Sequence, residues 1–206
     1  AYGSHHTMGN ITGNHDKPRF ISLAGGDMPL WGIDDKAEGW KREVGVGDEE
    51  KGYARLQLLK AIISTVPGVP CVYQGDEYGT PGANDPDNRD MMMFEGYNDY
   101  QMKEYAQTKA LMQYRRGSMP LMYGDFRTLY VDDEAWVFLR HYMGEWAVVA
   151  MNVRGTEKRI EVVMPEIVEC EDVKVAIATE GAHVEMIERG SMVVTLPAYG
   201  YVIANK

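Results

Sequence analysis

Three short segments hold the residues whose types and spacing could do chemistry. They are Gly13-Asn14-His15-Asp16-Lys17-Pro18-Arg19-Phe20, Pro67-Gly68-Val69-Pro70-Cys71-Val72-Tyr73-Gln74-Gly75-Asp76-Glu77, and Asn84-Asp85-Pro86-Asp87-Asn88-Arg89. The first sets an imidazole beside a carboxylate. Neutral imidazole both donates and accepts hydrogen bonds, which suits a hydroxyl group. The third holds a carboxylate, Asp85, and a guanidinium, Arg89, which together can read vicinal hydroxyls through directed hydrogen bonds. Plainer readings stand beside these. Asn and Asp favour turns and caps, so Asn14-His15-Asp16 could be a turn alone. Arg19 could pair with a local acid. Asp76 and Glu77 read as loop or supporting groups, and Gly68, Pro70 and Gly75 as residues shaping the ends of a strand. Asp85, Asp87 and Asn88 resemble a calcium loop faintly, but Pro86 and the missing EF-hand pattern argue against one. Met91 to Met93 with Phe94 read as packing residues.

The elements that would position these groups change character along the chain. Residues 1–31 are rich in Gly and polar groups, and 32–48 read as a Gly-rich loop. Asp48, Glu49 and Glu50 place acids where a helix dipole favours them. A helix should then run to about Thr65, with Leu56, Leu59, Ile62, Ile63 and Val66 forming one buried stripe. Pro67-Gly68 ends it. Val69 to Tyr73 suits a strand buried on both faces, as in a parallel sheet. After a long loop over 75–97, a second helix is expected from about Tyr100 to Arg116, closed by Gly117. This order fits the end of a βα-repeat array.

Beyond about residue 120, short alternating segments take over: Phe126–Val131, Ala135–Tyr142, Trp146–Met151, Arg159–Met164, Val173–Ala178, Val184–Ile187, Met192–Leu196 and Gly200–Ile203. Turn signals such as Asp132-Asp133, Met143-Gly144 and Arg189-Gly190 separate them. Many short strands at this spacing indicate an antiparallel sandwich. Trp136 and Trp146 are read as core or cross-strand packing. The fold class is therefore α/β plus all-β: a partial (β/α)8 TIM barrel over 1–120, then an antiparallel β-sandwich over 121–206, with the boundary near 117–121.

Composition bounds the partners. The 206 residues are 45% apolar and 25% charged, ordinary for a globular chain with a real core. A net charge of −10 argues against nucleic acid and anionic lipid, and suits a neutral ligand. No stretch is long and apolar enough to span a membrane, and no signal peptide is visible. Ala1 reads as lying in the middle of a protein. The Gly3-Ser4-His5-His6 run is compatible with native sequence and with the remnant of a tag. Cys71 and Cys170 lie in no metal-ligand pattern and are read as buried thiols.

Taken together, the three segments resemble motifs of glycoside hydrolase family 13, the α-amylase family. Asn14-His15-Asp16 with Pro18-Arg19-Phe20 is similar to the motif closing strand seven of its barrel. Pro67 to Glu77 resembles the strand-eight motif, which usually has a second Tyr where Gln74 stands. Asn84 to Arg89 resembles the substrate-contacting loop that follows. Leu196-Pro197-Ala198-Tyr199 is similar to the family's last sandwich strand. The resemblance covers nearly the whole chain, in the family's order.

The resemblance implies an enzyme that cleaves α-glucosidic bonds with retention, which requires two carboxylates about 5 Å apart. The family's nucleophilic Asp and acid Glu end strands four and five, upstream of the matching motifs. Asp16 matches its third carboxylate, which holds sugar hydroxyls, favours the oxocarbenium-like transition state and helps keep the nearby acid protonated. His15 matches the histidine that hydrogen-bonds the same sugar, and Asp85 and Arg89 match a pair contacting sugar just beyond. No metal site or cofactor is expected in this chain; any Ca2+ belongs to the longer parent, because the family's usual ligands lie mostly upstream. The expected partner is an α-glucan such as starch or maltodextrin, and the parent is expected to be secreted or periplasmic. Alone, the chain is expected to be inactive and to self-associate through exposed barrel edges. Two rivals are a non-catalytic relative of the same fold, and a carbohydrate-binding or structural module. The intact His15-Asp16 and Asp85/Arg89 sets weigh against the first, and the lack of an aromatic platform against the second.

Overall fold

A computed structural model describes residues 7–168, 173–187 and 190–206. The Gly3 to His6 run and Cys170 lie outside the described residues. The first elements are β1 (Gly9–Ile11), α1 (Phe20–Gly25), α2 (Asp35–Lys41), α3 (Glu49–Thr65), β2 (Val69–Cys71), a 3-10 turn (Asp87–Arg89), α4 (Asp99–Gly117) and α5 (Met119–Tyr123). Strands β3 (Asp125–Val131), β4 (Ala135–Tyr142), β5 (Glu145–Asn152), β6 (Lys158–Val163), β7 (Lys174–Ala178), β8 (His183–Ile187), β9 (Ser191–Leu196) and β10 (Tyr201–Asn205) follow. Contacts divide the chain into two compact units, one of residues up to 63 with 68–111, the other of 64–67 with 112–206.

In the first unit, β1 and β2 pair in parallel, with Gly9 opposite Val69 and Ile11 opposite Cys71. Parallel strands need a long crossover, and residues 12–68 with their three helices supply it. Asp48 starts α3 by accepting the Lys51 backbone N–H at 3.0 Å. The expected single stripe on α3 is too narrow. Tyr53, Leu56, Leu58, Ala61 and Ile63 are buried together with Lys60, so this helix is enclosed over most of its circumference. On α4 the buried face is largely polar: Gln101, Glu104 and Thr108 precede Leu111 at helical spacing. Lys60 Nζ meets Glu104 Oε1 at 2.5 Å with both side chains fully buried. Burial pushes Glu104 up and Lys60 down from their ordinary values, while each partner opposes the other's shift.

Three expectations for this unit are corrected. Strand β2 is not buried on both faces: Val69 is 52% exposed and Cys71 is exposed, so the face these two share carries no packed layer among the described residues, and the sheet there has two strands. Residues 32–48 are not all loop. Asp34 caps α2 by accepting the Ala37 N–H at 3.0 Å, a start signal that the surrounding glycines disguised. Met91, Met92 and Phe94 are exposed rather than packed. It is the Met93 backbone that is anchored, donating to the Tyr78 hydroxyl at 2.8 Å and accepting from Tyr97 at 2.7 Å.

The second unit holds two antiparallel sheets, β3-β4-β5-β10-β7 and β6-β9-β8. Alternate residues of β4 and β5 (Val137, Leu139, Trp146, Val148) join Ile160, Val162, Met192 and Val194 in one apolar cluster. Phe138, Val149 and Met151 point to the opposite face and are also buried, and α5 packs on β4 and β5. Arg140 is buried there too, donating to the Thr65 carbonyl at 2.5 Å and the Gly124 carbonyl at 3.0 Å. Burial, with Arg115 nearby, pulls its guanidinium down to about 10. Trp146 is a core residue, and Trp136 meets Phe126 and Phe138 in tilted ring contacts.

Candidate active site

The Asn14-His15-Asp16 segment is a turn, and the turn is what presents its side chains. Asn14 Oδ1 accepts the Asp16 backbone N–H at 2.9 Å. His15 Nε2 lies 3.5 Å from Asp16 Oδ1, with the two side chains 57% and 73% exposed. Nothing in the turn itself would hold this pair in place. The support lies beneath it.

Arg19 is that support. Its side chain is 2% exposed and meets Asp76 Oδ1 at 3.0 Å, so its acid is not local but 57 residues away. The same guanidinium donates to the Gln74 carbonyl at 2.5 Å and the Asn88 carbonyl at 2.7 Å, and lies 4.3 Å from the Tyr73 ring centroid. Asp76 Oδ2 accepts from the Thr12 hydroxyl at 2.5 Å, and Thr12 Oγ1 accepts the Tyr73 N–H at 2.9 Å. Asn88 is buried and returns to the first segment, donating to the Lys17 carbonyl at 2.7 Å and the Asn14 carbonyl at 3.3 Å. One buried polar network thus knits all three motif segments, with its charges paired. Gly75 permits the turn between them: its φ is 92°, and a Cβ there would come within 2.6 Å of the Thr80 hydroxyl.

Above this network lies an open cleft of about 280 Å³ lined by His15, Arg19, Tyr73, Gln74, Arg89 and Asp90. His15 and Arg89 line it directly. Asp16 joins through His15, and Asp85 through Arg89, whose Nε lies 2.5 Å from Asp85 Oδ1. Asp85 Oδ2 also meets Lys36 Nζ at 3.0 Å. Lys36, then Arg89 and His15, hold the Asp85 carboxyl below the usual carboxylate range. The cleft itself thus presents an imidazole from His15, a guanidinium from Arg89 and a carboxyl from Asp90, groups able to donate and accept hydrogen bonds. Among the described residues, no three His, Cys, Asp or Glu side chains are grouped to hold a metal ion.

Of the four residues expected at a site, His15 and Arg89 line this cleft, and Asp16 and Asp85 are each paired with one of them outside its lining. Asp76 has the supporting part expected of it, and Arg19 pairs with an acid that is distant rather than local; the sequence reading missed Thr12, Asn88 and Lys36. Nothing in the sequence pairs Arg19 with Asp76, since each has charged neighbours, Lys17 and Glu77, and 57 residues separate them.

The chain belongs to the alpha-amylase family, whose profile "Alpha amylase, catalytic domain" matches residues 3–145. A cyclomaltodextrinase of Thermoanaerobacter pseudethanolicus is 32% identical over 146 residues, covering 70% of this chain and 21% of that protein. A cyclomaltodextrinase of Geobacillus thermopakistaniensis is 27% identical over 197 residues, covering 94% of this chain and 28% of its own length. The chain thus spans about a fifth to just over a quarter of these curated relatives. Among solved structures, the debranching enzyme of Nostoc punctiforme superposes with a TM-score of 0.73 at 24% identity, over 97% of this chain and 36% of that one. An alpha-amylase of Geobacillus thermoleovorans, complexed with acarbose, gives 0.72 at 23% identity, over 97% and 38%. At such identities these structures speak for the fold alone.

Proposed function

We propose that this chain supplies the substrate-gripping part of a retaining enzyme acting on α-glucosidic bonds of starch or maltodextrins. Asp16 is the carboxylate that holds sugar hydroxyls and supports the oxocarbenium-like transition state. His15 hydrogen-bonds the same sugar, and Asp85 with Arg89 contacts the next. The nucleophilic Asp and the acid Glu come from residues outside this chain, so the chain alone is inactive. The observation that carries this reading is the buried Arg19–Asp76–Thr12–Asn88 network, which fixes three separate segments so that their polar groups face one cleft.

On this reading residues 1–120 are the last part of a (β/α)8 barrel and 121–206 an antiparallel sandwich. Support comes from the open edges of β1 and β2, and from a groove of about 360 Å³ beside β1 where Ile11, Phe20, Leu23, Leu30 and Trp31 meet, with Trp31 85% exposed. Apolar surface of this kind calls for a cover, and the missing barrel elements would provide it. The parent protein is secreted or periplasmic, where extended glucans are met. The test is a hydrolysis assay of the purified chain on starch and a nitrophenyl maltoside. Background rates are expected; hydrolysis above background would overturn the shared-site reading.

A further inference from the structure

Helix α2 lies against the loop that carries Asp85 and Arg89, and several contacts join them. Lys36 Nζ reaches Asp85 Oδ2 at 3.0 Å. Asn84 Nδ2 donates to Asp35 Oδ1 at 3.1 Å. Gly39 lets the helix approach closely: a Cβ there would stand 2.8 Å from Asp87 Cβ and 3.1 Å from Ala83 Cβ. Asp87 has little room to yield, because its carboxylate closes the loop by accepting the Ala83 N–H at 2.6 Å. The Asp85 carboxylate therefore sits between two cations on different elements, Lys36 on one oxygen and Arg89 on the other.

We propose that α2 is a positioning element for sugar recognition, in which Lys36 fixes one oxygen of Asp85 so that Asp85 and Arg89 meet a glucan hydroxyl already aligned. This rests on the reading that Asp85 and Arg89 contact glucan. A carboxylate on an exposed loop can rotate about its last bond, and every rotamer lost on binding weakens binding. Arg89 alone anchors one oxygen and leaves that rotation open. Lys36 anchors the second from a separate helix. Lys36 acts through Asp85 and is not a contact residue.

The experiment uses the full chain and two readouts: the Asp85 carboxyl titration followed by carbon-13 NMR, and maltoheptaose titration. The groups facing Asp85 are Lys36, Arg89 and His15. Lys36→Met should raise the Asp85 midpoint and weaken maltoheptaose binding, by about two- to fivefold for an exposed ion pair. Lys36→Arg should restore both. Gly39→Ala, which keeps the ammonium but pushes the helix off the loop, should resemble Lys36→Met. In an Asp85→Asn background, Lys36→Met should weaken binding no further. An unchanged Asp85 midpoint in Lys36→Met overturns the proposal, as does unchanged affinity where Asp85→Asn reduces it. Full affinity in Asp85→Asn would instead overturn the glucan-contact reading, and the Asp85 midpoint would still report whether Lys36 holds it.

Discussion

Arg19 and Asp76 show how an exposed site depends on buried charge. Each is almost fully enclosed, and each is the other's ionic partner. Removing one leaves an unpaired charge in the interior, which costs about 3–5 kcal/mol. Asp76→Leu should lower unfolding stability by that order in equilibrium urea titrations. The double variant with Arg19→Met should cost less than the two single changes summed, because the orphaned charge is gone. Strict additivity would mean that the pair is not coupled. Lys60 and Glu104 pose the same problem in the helical layer, and Lys60→Met should be comparably damaging. At this scale the sequence was half legible. Asn14, His15, Asp16, Asp85 and Arg89 stood out by motif, because a ligand-facing residue is chosen for its own chemistry. Arg19 and Asp76 are chosen for each other, and only the fold brings residues so far apart in sequence together.

At the scale of elements, the chain announced its two long helices and the strands beyond residue 120, but not β1 at Gly9–Ile11. Ala135–Tyr142 was delimited to the residue, since alternation and flanking turns are local properties. Helix α2 was hidden because its capping signal is embedded among Gly32, Gly39, Gly45 and Gly47. Burial was the harder quantity to read. Lys60 and Glu104 look like solvent-facing residues until α3 and α4 are packed together. The same packing encloses Tyr53, which stacks on Tyr100 with ring centroids 5.2 Å apart. Burial, then Glu49 and Glu104, pushes the Tyr53 phenol well above its ordinary 10.0. Its neutral form is favoured when folded, so its contribution is complete below about pH 10 and is lost as pH rises towards the folded value. Urea unfolding at successive alkaline pH values should show stability falling, and Tyr53→Phe should flatten that fall. An equally steep decline in the variant would assign the effect to other tyrosines.

For the whole molecule, the informative feature is what is left open. Strand β2 was expected to be buried and is exposed, and Cys71 is exposed with it. A thiol-specific reagent should therefore modify Cys71 in the folded chain. If a complementary barrel piece completes the sheet, adding that piece should slow the reaction sharply, and an unchanged rate would count against the partial-barrel proposal. The change from helix-and-strand pattern to short antiparallel strands was legible here, because the two kinds of pattern meet within one chain. The exposed edges were not, since a sequence records what a strand prefers to be buried against and not whether that neighbour is present.

The placement of β10 has a temporal consequence. This strand lies between β5 and β7, pairing with both. As the chain emerges from a ribosome, β3, β4 and β5 can zip together in order, each beside its predecessor. The five-stranded sheet cannot close until residues 201–205 have been made, and until then β5 presents a bare, strongly apolar edge. The vulnerable interval is therefore the one between the synthesis of β5 and that of β10, when a neighbouring nascent chain could offer β5 the wrong partner.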